Sequence, residues 1–291
     1  MAAGVSAVEK DKILFLHTPK AGGGAMEKFL YGQLRTVRRN YFLSFNGKDD
    51  SLFAPGEDST PRPDANKCVI ERIFETPSLA DEFANSPHFQ QAKLIFGHAT
   101  FSLPELFPRY RFRHLLVVRE PIERTISNIA QFSPQGASDV LKFGAYYTRA
   151  EKYSAAYWDF LYDILTKEYP VEDLLIHENL YLRNCMTHIL QGSRYLDVHE
   201  PANLHLAWAN AMRAEVSFYD DFNAGLQRSF DALGVPVNMA QNAWPGVSKA
   251  KQRHGRYLNA PPKVVEFVAD HNETDRRLYD LLRSRRAQAS A

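Results

Sequence analysis

The sequence predicts an α/β fold of three layers, with a central parallel sheet flanked by helices. Three observations support this prediction. Short apolar runs alternate with helical patterns, the first run leads into a glycine-rich turn, and a later run ends at an arginine followed by a proline that can open a helix. A chain of 291 residues suits one large domain, so we expect a single domain over 1–291, with flexible ends at 1–11 and 287–291.

The first half of the chain supplies three predicted strands. The apolar run from Ile13 to Leu16 is the first, and further strands are expected within 92–98 and 114–120. A helix follows the first strand, because apolar residues recur there at helical spacing: Met26, Phe29, Leu30, Leu34 and Val37. Residues 44–66 are polar and rich in Gly, Pro and Asp, and we interpret them as a surface loop.

The second half of the chain alternates in the same way. Its pattern predicts a helix from Thr148 to Glu168, a strand at 173–180 leading into a helix capped near Gly192, and a strand and helix over 214–234. A last helix is predicted from Pro262 to Arg286.

The bulk composition excludes several functions. The net charge is +1 at pH 7 and the pI is about 7.8, so no overall field recruits nucleic acid or a membrane surface. No apolar run approaches the ~20 residues of a membrane span, and the N-terminus lacks a signal-peptide pattern. Cys68 and Cys185 give neither a disulfide framework nor a metal-ligand spacing. These features predict a soluble, cytoplasmic protein with reduced cysteines and no metal site.

The turn after the first strand has the composition of an anion site. His17 to Lys20 are followed by three glycines, Gly22 to Gly24, and then by the first helix. Such a P-loop-like turn points backbone N–H groups and the positive end of the helix dipole at one place. A nucleotide P-loop has its lysine after the glycines and a hydroxyl after the lysine. Here the lysine comes first and Ala21 follows it, so the usual Mg²⁺ ligand is missing.

The segment "HTPKAGGGAMEKFL" resembles the 5′-phosphosulfate loop of sulfotransferases that use 3′-phosphoadenosine-5′-phosphosulfate (PAPS). In the branch of the hexuronyl and heparan sulfate O-sulfotransferases, that loop commonly reads H-x-P-K-T-G-G-T-S. The chain departs from this pattern where Ala21, Gly24 and Ala25 replace hydroxyl residues. The resemblance implies PAPS as co-substrate without a metal, and it implies the following contacts to the donor: Lys20, Ala21, Gly22, Gly23, Gly24, Ala25 and Met26.

A second motif, "LLVVREPIERTISNIAQF", resembles the 3′-phosphate motif of the same family. A guanidinium fork suits a phosphate dianion, and a helical hydroxyl adds a donor. The resemblance implies that Arg119 and Ser127 contact the 3′-phosphate. For Arg124, the sequence leaves open whether it orients the loop or pairs with Glu120 or Glu123.

The remaining candidates concern catalysis and the end of the chain. Lys20 is expected against the bridging oxygen of the donor, where charge develops. His98, in a G-H segment like that of the hexuronyl branch, is the candidate general base, with Glu27, Glu71 and Glu75 as alternatives. A late basic loop in the family implies cofactor contacts from Ser248, Lys249 and Arg253.

Weaker similarities extend the resemblance along the chain. "HNETDRRLY" resembles the family's closing N-x-x-D-x-x-L-Y, whereas Asp220 and Asp221 depart from a family pattern. The basic patch "PRYRFRH" at 108–114 either attracts an acidic acceptor or simply leads into a strand.

The function implied by the resemblance is transfer of a sulfuryl group from PAPS to a hydroxyl of a glycan, a natural product or a tyrosine. Two alternatives remain at this stage. One is a nucleotide kinase or NTPase with an atypical P-loop, and the other is a non-catalytic protein that binds PAPS or its desulfated product. The sequence indicates neither the acceptor nor the oligomeric state.

Overall fold

Among the residues that the computed structural model describes, five parallel strands form the central sheet, in the order β2-β3-β1-β4-β5. The strands are β1 (Lys10–His17), β2 (Phe42–Ser44), β3 (Leu94–Gly97), β4 (Tyr110–Val118) and β5 (Ala214–Phe218). The structure describes residues 10–19, 21–37, 41–44, 73, 76, 78–129, 154–156, 158–159, 162, 183–193, 200–241 and 260–289. The predicted α/β class with a parallel sheet is confirmed.

Helices cover both faces of this sheet. In chain order they are α1 (Gly23–Val37), α2 (Ser78–Asn85), α3 (Pro87–Gln91), α4 (Pro121–Ile129), α5 (Cys185–Gln191), α6 (Leu204–Ala211), α7 (Phe222–Leu233), α8 (Pro262–Asp270) and α9 (Glu273–Ala289). Within the described ranges, no helix is long and apolar enough to cross a membrane.

Strand β1 is buried on both faces, which explains its continuous apolar run. Ile13 and Phe15 pack into one core with residues of α1 and α7. Leu14 and Leu16 alternate to the opposite face and pack into the core that includes residues of α2, α3, α5 and α9. Each core therefore lies between the sheet and a layer of helices, which makes a three-layer fold.

The chain leaves the central strands toward different faces. After β1 it enters α1, whose Leu30 and Leu34 belong to one core. After β3 it continues through Phe101 and Leu103, which belong to the other core. Because neighbouring strands send their connections to opposite faces, a crevice is expected at the carboxyl end of β1, the usual ligand position in open α/β sheets.

Several predicted boundaries differ from the observed ones. Lys10 and Asp11, predicted to lie in a flexible N-terminus, belong to β1 and pair with Tyr110 and Arg111 of β4. The second and third predicted strands occupy Leu94–Gly97 and Tyr110–Val118. The cap at Gly192 is confirmed, since α5 ends there with φ +83°.

The predicted last helix is two helices, α8 and α9, separated by His271 and Asn272. The side-chain amide of Asn272 (Nδ2) donates to the carbonyl of Val268 at 2.9 Å. Such local bonds from a side chain to the backbone compete with continuation of the helix. Helix α9 then runs to Ala289, beyond the predicted end at Arg286, because its last residues contain no helix breaker.

Some predicted elements lie outside the described residues, and some observed elements escaped prediction. The strand at 173–180, most of the helix from Thr148 to Glu168 and the loop beyond Ser44 belong to the first group. The short elements β2, α2, α3 and α6 belong to the second.

Lys12 is a buried cation at the centre of the amino half of β1. Its ammonium donates to the carbonyls of Phe89 and Ala92 at 2.6 and 2.7 Å, at the C-terminal end of α3. The same ammonium lies 4.6 Å from the ring centre of Phe89 and 4.7 Å from that of Tyr110. Helix-end carbonyls and aromatic faces together offset the cost of burying this charge.

Replacing Lys12 by methionine should destabilise the fold while keeping the length of the side chain. Lys12→Met leaves two buried carbonyls without their donor, which costs roughly 2–4 kcal/mol. The urea midpoint of unfolding measures the loss. Lys93→Met is the matched control, because the half-buried Lys93 bonds one carbonyl, that of Asp11. Equal losses in the two variants would contradict this account.

His114 lies buried in β4, where its ring stacks on Phe101 at 3.9 Å between centres. Desolvation, reinforced by the nearby charge of Arg213, lowers the pKa of His114 to about 4. The folded chain therefore keeps this imidazole neutral at a pH where the unfolded chain, with a pKa near ~6.5, protonates it. Acid thus favours unfolding between about pH 6.5 and about pH 4.

A His114→Phe variant should flatten the acid side of the stability profile. We expect its melting temperature to fall less between pH 7 and pH 4.5 than that of the parent chain, because the group that binds a proton on unfolding is gone. Melting curves across this pH range measure the effect. His205→Gln, on an exposed position of α6, should leave the slope unchanged.

Candidate functional site

The carboxyl edge of the sheet brings three predicted site segments together. The turn beginning at Thr18 follows β1, His98 follows β3, and Arg119 follows β4. The strands are in register there, with Leu16 opposite Gly97 of β3 and His17 opposite Val117 of β4. Parallel pairing on both sides of β1 therefore places these three chain segments side by side at the crevice.

The glycine-rich turn feeds directly into α1. Gly22 has φ +91°, a left-handed conformation that favours glycine, and α1 begins at the next residue. Helical geometry leaves the first-turn amides of Gly23, Gly24 and Ala25 without partners inside the helix. These amides and the helix dipole give the turn a positive end that faces the crevice.

Two of the residues predicted to contact PAPS, Ala21 and Met26, have amides that donate within the turn and the helix. The amide of Ala21 donates to the carbonyl of Thr18 at 3.1 Å, and the amide of Met26 donates to the carbonyl of Gly22 at 3.2 Å. The side chain of Met26 is buried in the core between the sheet and α1. Both amides thus have an acceptor in the turn or the helix, whereas the helix itself offers no acceptor to the first-turn amides of Gly23 to Ala25.

Thr18 contributes a polar group that the sequence pattern did not single out. Its side chain is fully buried, and its hydroxyl has no hydrogen-bond partner among the described residues. A buried hydroxyl without a partner is uncommon and calls for an explanation such as an absent ligand or water. This orphaned group lies in the turn where the family's hydroxyls at Ala21, Gly24 and Ala25 are missing, and it is consistent with a polar ligand nearby.

His98 is held by the end of β1. Its Nδ1 lies 3.2 Å from the carbonyl oxygen of His17, and the two imidazole centres are 4.4 Å apart. His17 in turn stacks on Phe96 at 5.1 Å. If Nδ1 carries the proton that it donates to this carbonyl, Nε2 is the nitrogen that can accept another proton.

Arg119 lies at the end of β4 with its side chain buried. Its guanidinium carbon is 4.7 Å from the ring centre of Tyr219, which directly follows β5. Its Nε is 3.7 Å from a carboxylate oxygen of Glu123, one helical turn into α4. An aromatic face and a partly exposed carboxylate thus hold the guanidinium in a fixed orientation beside the crevice.

Helix α4 begins at Pro121, two residues after Arg119, and is capped by its own sequence. A carboxylate oxygen of Glu120 accepts from the amide of Glu123 at 2.7 Å. Ser127 is buried on the same helix, four residues after Glu123. For Arg124, the structure shows an ion pair that was not among the predicted alternatives: its Nη2 lies 4.0 Å from the carboxylate of Asp275 in α9, and both side chains are buried.

The other predicted site residues divide into two groups. Glu27, an alternative base, is described: it accepts a hydrogen bond from the hydroxyl of Ser44, at the carboxyl end of β2. Outside the described residues lie Lys20, Glu71, Glu75, Ser248, Lys249 and Arg253.

Sequence reasoning missed the partners that come from distant parts of the chain. Tyr219 beside Arg119, and Asn272 and Asp275 beside Arg124, had no assigned role, although "HNETDRRLY" contains the last two. Asp220 and Asp221, which depart from the family pattern, form ion pairs with arginines of α7 and α9: Arg228, Arg283 and Arg286.

The amino edge of the sheet carries different features. The patch at 108–114 lies there, and Arg111 makes two 2.8 Å bonds to Asp11. An open pocket of about 580 Å³ is lined by Lys12, Lys93 and neighbouring residues. Both features are at the end of the strands opposite the crevice, which favours the lead-in interpretation of the patch.

The fold and these contacts define an α/β protein with a candidate anion site at the switch point of a parallel sheet. The sequence matches no protein-family model, and comparison with curated proteins gives no match either. Within the described part of the chain, no group of three or more His, Cys, Asp or Glu side chains is arranged to hold a metal ion.

Proposed function

We propose that the protein is a PAPS-dependent O-sulfotransferase that transfers a sulfuryl group to a hydroxyl acceptor. One observation carries the proposal: the two motifs that resemble the family's phosphate sites follow neighbouring parallel strands, β1 and β4, at the same edge of the sheet. A single nucleotide with phosphates at both ends of its ribose fits two anion sites on adjacent strand ends. Glycan, natural-product and tyrosine hydroxyls remain candidate acceptors, and a cytoplasmic location is part of the proposal.

The residues of the crevice suit the charges of this donor. Backbone amides from Gly22 to Ala25 are oriented for the 5′-phosphate at the positive end of α1, and Lys20 adds a full charge to the same turn. The buried guanidinium of Arg119, with the hydroxyl of Ser127, is proposed for the 3′-phosphate. The unpartnered hydroxyl of Thr18 is a further polar group at the turn.

His98 is proposed as the general base. When bound, PAPS supplies the sulfuryl group, whose bond to the 5′-phosphate oxygen breaks as the bond from sulfur to the acceptor oxygen forms. His98 takes the proton of the acceptor hydroxyl at Nε2, because Nδ1 faces the carbonyl of His17. Lys20 balances the negative charge that develops on the departing phosphate oxygen. Glu27 is the alternative base at the same edge of the sheet.

Ligand-dependent melting should identify the nucleotide. We expect 3′-phosphoadenosine-5′-phosphate (PAP) to raise the melting temperature and ATP with Mg²⁺ to leave it unchanged, since a ligand stabilises only the state that binds it. Arg119→Ala should weaken PAP binding about 10–100-fold, because a charged hydrogen-bond donor is lost. Titration calorimetry measures the affinity.

Arg111→Ala is the matched control for Arg119→Ala, because Arg111 pairs with Asp11 at the opposite edge of the sheet. It should bind PAP like the parent chain. Stabilisation by ATP with Mg²⁺ alone would support the kinase or NTPase alternative. Full turnover by a Lys20→Ala variant would contradict the proposed mechanism.

Turnover should depend on the imidazole of His98. His98→Gln should lower kcat about 10²–10⁴-fold, the usual effect of removing a general base, while PAP affinity stays near that of the parent chain. Transfer of labelled sulfate from PAPS to glycans, phenols and tyrosine peptides measures it. His205→Gln, on the exposed side of α6, is the control.

The outcomes of the transfer assay separate the remaining alternatives. If His98→Gln keeps its rate and Glu27→Gln loses it, the base is Glu27. If the parent chain binds PAP but transfers no sulfate to any acceptor, the non-catalytic binder is supported instead.

A further inference from the structure

A buried polar cluster joins three distant parts of the chain behind the Arg119 motif. The carboxylate of Asp275 in α9 is fully buried and accepts from two amides at the start of α5, those of Met186 at 3.0 Å and Thr187 at 2.7 Å. A carboxylate at this position satisfies amides that a helix leaves unpaired at its first turn. Asp275 therefore fixes α5 against α9.

Asn184 locks the same junction from the other side. Its side-chain oxygen accepts from the amide of Asp275 at 3.0 Å, and its own amide donates to the side-chain oxygen of Asn272 at 3.0 Å. Asn184 has φ +42°; among the described residues other than glycine, it alone has a positive φ. Such a backbone conformation persists where the surroundings over-determine it, and here two reciprocal hydrogen bonds do so.

The cluster reaches α4 through Arg124 and Thr125, both buried. The Nη2 of Arg124 donates to the hydroxyl of Thr125 at 2.7 Å and lies 3.4 Å from the side-chain oxygen of Asn272. It is 4.0 Å from the carboxylate of Asp275. The hydroxyl of Thr125 is 3.5 Å from the same Asn272 oxygen. The side-chain oxygen of Asn272 and the carboxylate of Asp275 thus face the side of α4 that carries Arg124 and Thr125.

These contacts affect the proposed anion site because they fix how α4 is rotated about its axis. Arg119 lies two residues before α4, and Ser127 is three residues after Arg124 on the same side of the helix. A buried guanidinium that loses its carboxylate leaves an uncompensated charge, so α4 must shift or turn to reach water. Any such movement would displace the side chains at both ends of the motif.

We propose that Asn272 and Asp275 are positioning residues for the anion site at Arg119 and Ser127, and that they thereby set selectivity for 3′-phosphorylated adenine nucleotides. The proposal rests on the proposed function for the identity of the ligand. Neither residue touches the nucleotide. Each acts through α4, by holding the side chains of Arg124 and Thr125 in place.

The first test compares affinities for PAP and for 5′-AMP, which lacks the 3′-phosphate. The ratio of the two affinities isolates the 3′-phosphate contribution. We expect Asp275→Asn to lower this ratio about 10-fold or more, as Arg119→Ala does, with the affinity for 5′-AMP nearly unchanged. Titration calorimetry on the full chain gives both constants.

A variant that is merely less stable serves as control. Phe89→Leu removes buried ring packing near the amino edge of the sheet, far from α4. It should lower the melting temperature but leave the ratio unchanged. If Asp275→Asn does not fold, Thr125→Val takes its place, because it deletes one hydroxyl of the cluster and keeps the shape of the side chain. An unchanged ratio in a folded cluster variant overturns the proposal.

The second test needs no ligand and separates the two proposals. Amide hydrogen exchange in 121–129 reports the order of α4, and exchange in 222–233 reports α7 on the other face of the sheet. We expect Asn272→Ser to speed exchange in α4 at least 10-fold and to leave α7 unchanged. If the parent chain does not bind PAP, the proposed function fails, whereas equal protection of α4 in parent and variant overturns the positioning role.

Discussion

The central position of β1 is the constraint on which the rest of the structure depends. The strand pairs in parallel with β3 on one side and β4 on the other, so its backbone is satisfied within the sheet and both its faces must be apolar. Ile13 to Leu16 meet that requirement. Once β1 is central, its carboxyl end is where connections diverge to opposite faces, and the turn at Gly22 has to lie between His98 and Arg119. The candidate site is thus a consequence of strand order.

Helix α9 completes this arrangement, because charged groups along it fasten the ends of other elements. Near its start, Asp275 caps α5 and faces Arg124 of α4. Two turns later Arg283 pairs with Asp220, just beyond β5, and its guanidinium lies 5.0 Å from the ring centre of Phe218. Burying a carboxylate is costly unless its hydrogen bonds are made within the protein, and Asp275 has two amides for that purpose. The last helix therefore links the carboxyl ends of the sheet to the helices that carry the site.

The sequence pattern predicted the elements that are determined by residues close together in the chain. The four apolar residues from Ile13, the proline that opens α4 and the glycine at 192 each act within a few neighbours, and each element is present. The three-residue β2 is too short for alternation to be visible. At the break between α8 and α9, the side chain of Asn272 bonds the nearby carbonyl of Val268 and also accepts from the backbone amide of Asn184, 88 residues away, a partner that local pattern does not reveal. For Arg124, local pattern offers a role in orienting the loop or a pairing with Glu120 or Glu123, whereas its buried partner Asp275 is 151 residues away. In the turn, hydrogen bonds within the backbone decided that Ala21 and Met26 are engaged, which side-chain identity does not reveal.

Backbone geometry bears on how the proposed anion site can form without the hydroxyls of the resembling family. With a net charge of +1, the chain as a whole does not attract anions, so local groups must do so. The direction of the backbone N–H groups at the start of α1 is set by φ and ψ, including those of Gly22. It does not require a hydroxyl on residue 21 or residue 25. Arg119 supplies a positive charge. Because its side chain is buried beside Tyr219 and Glu123, the orientation of the guanidinium decides whether an anion can reach it. A phosphate arriving there has to compete with the Glu123 carboxylate, whose exposed position lets it turn toward water at little cost. The proposed site thus has two parts. One consists of the backbone amides at the start of α1, and the other is the guanidinium of Arg119, whose orientation depends on the packing of α4 against α9.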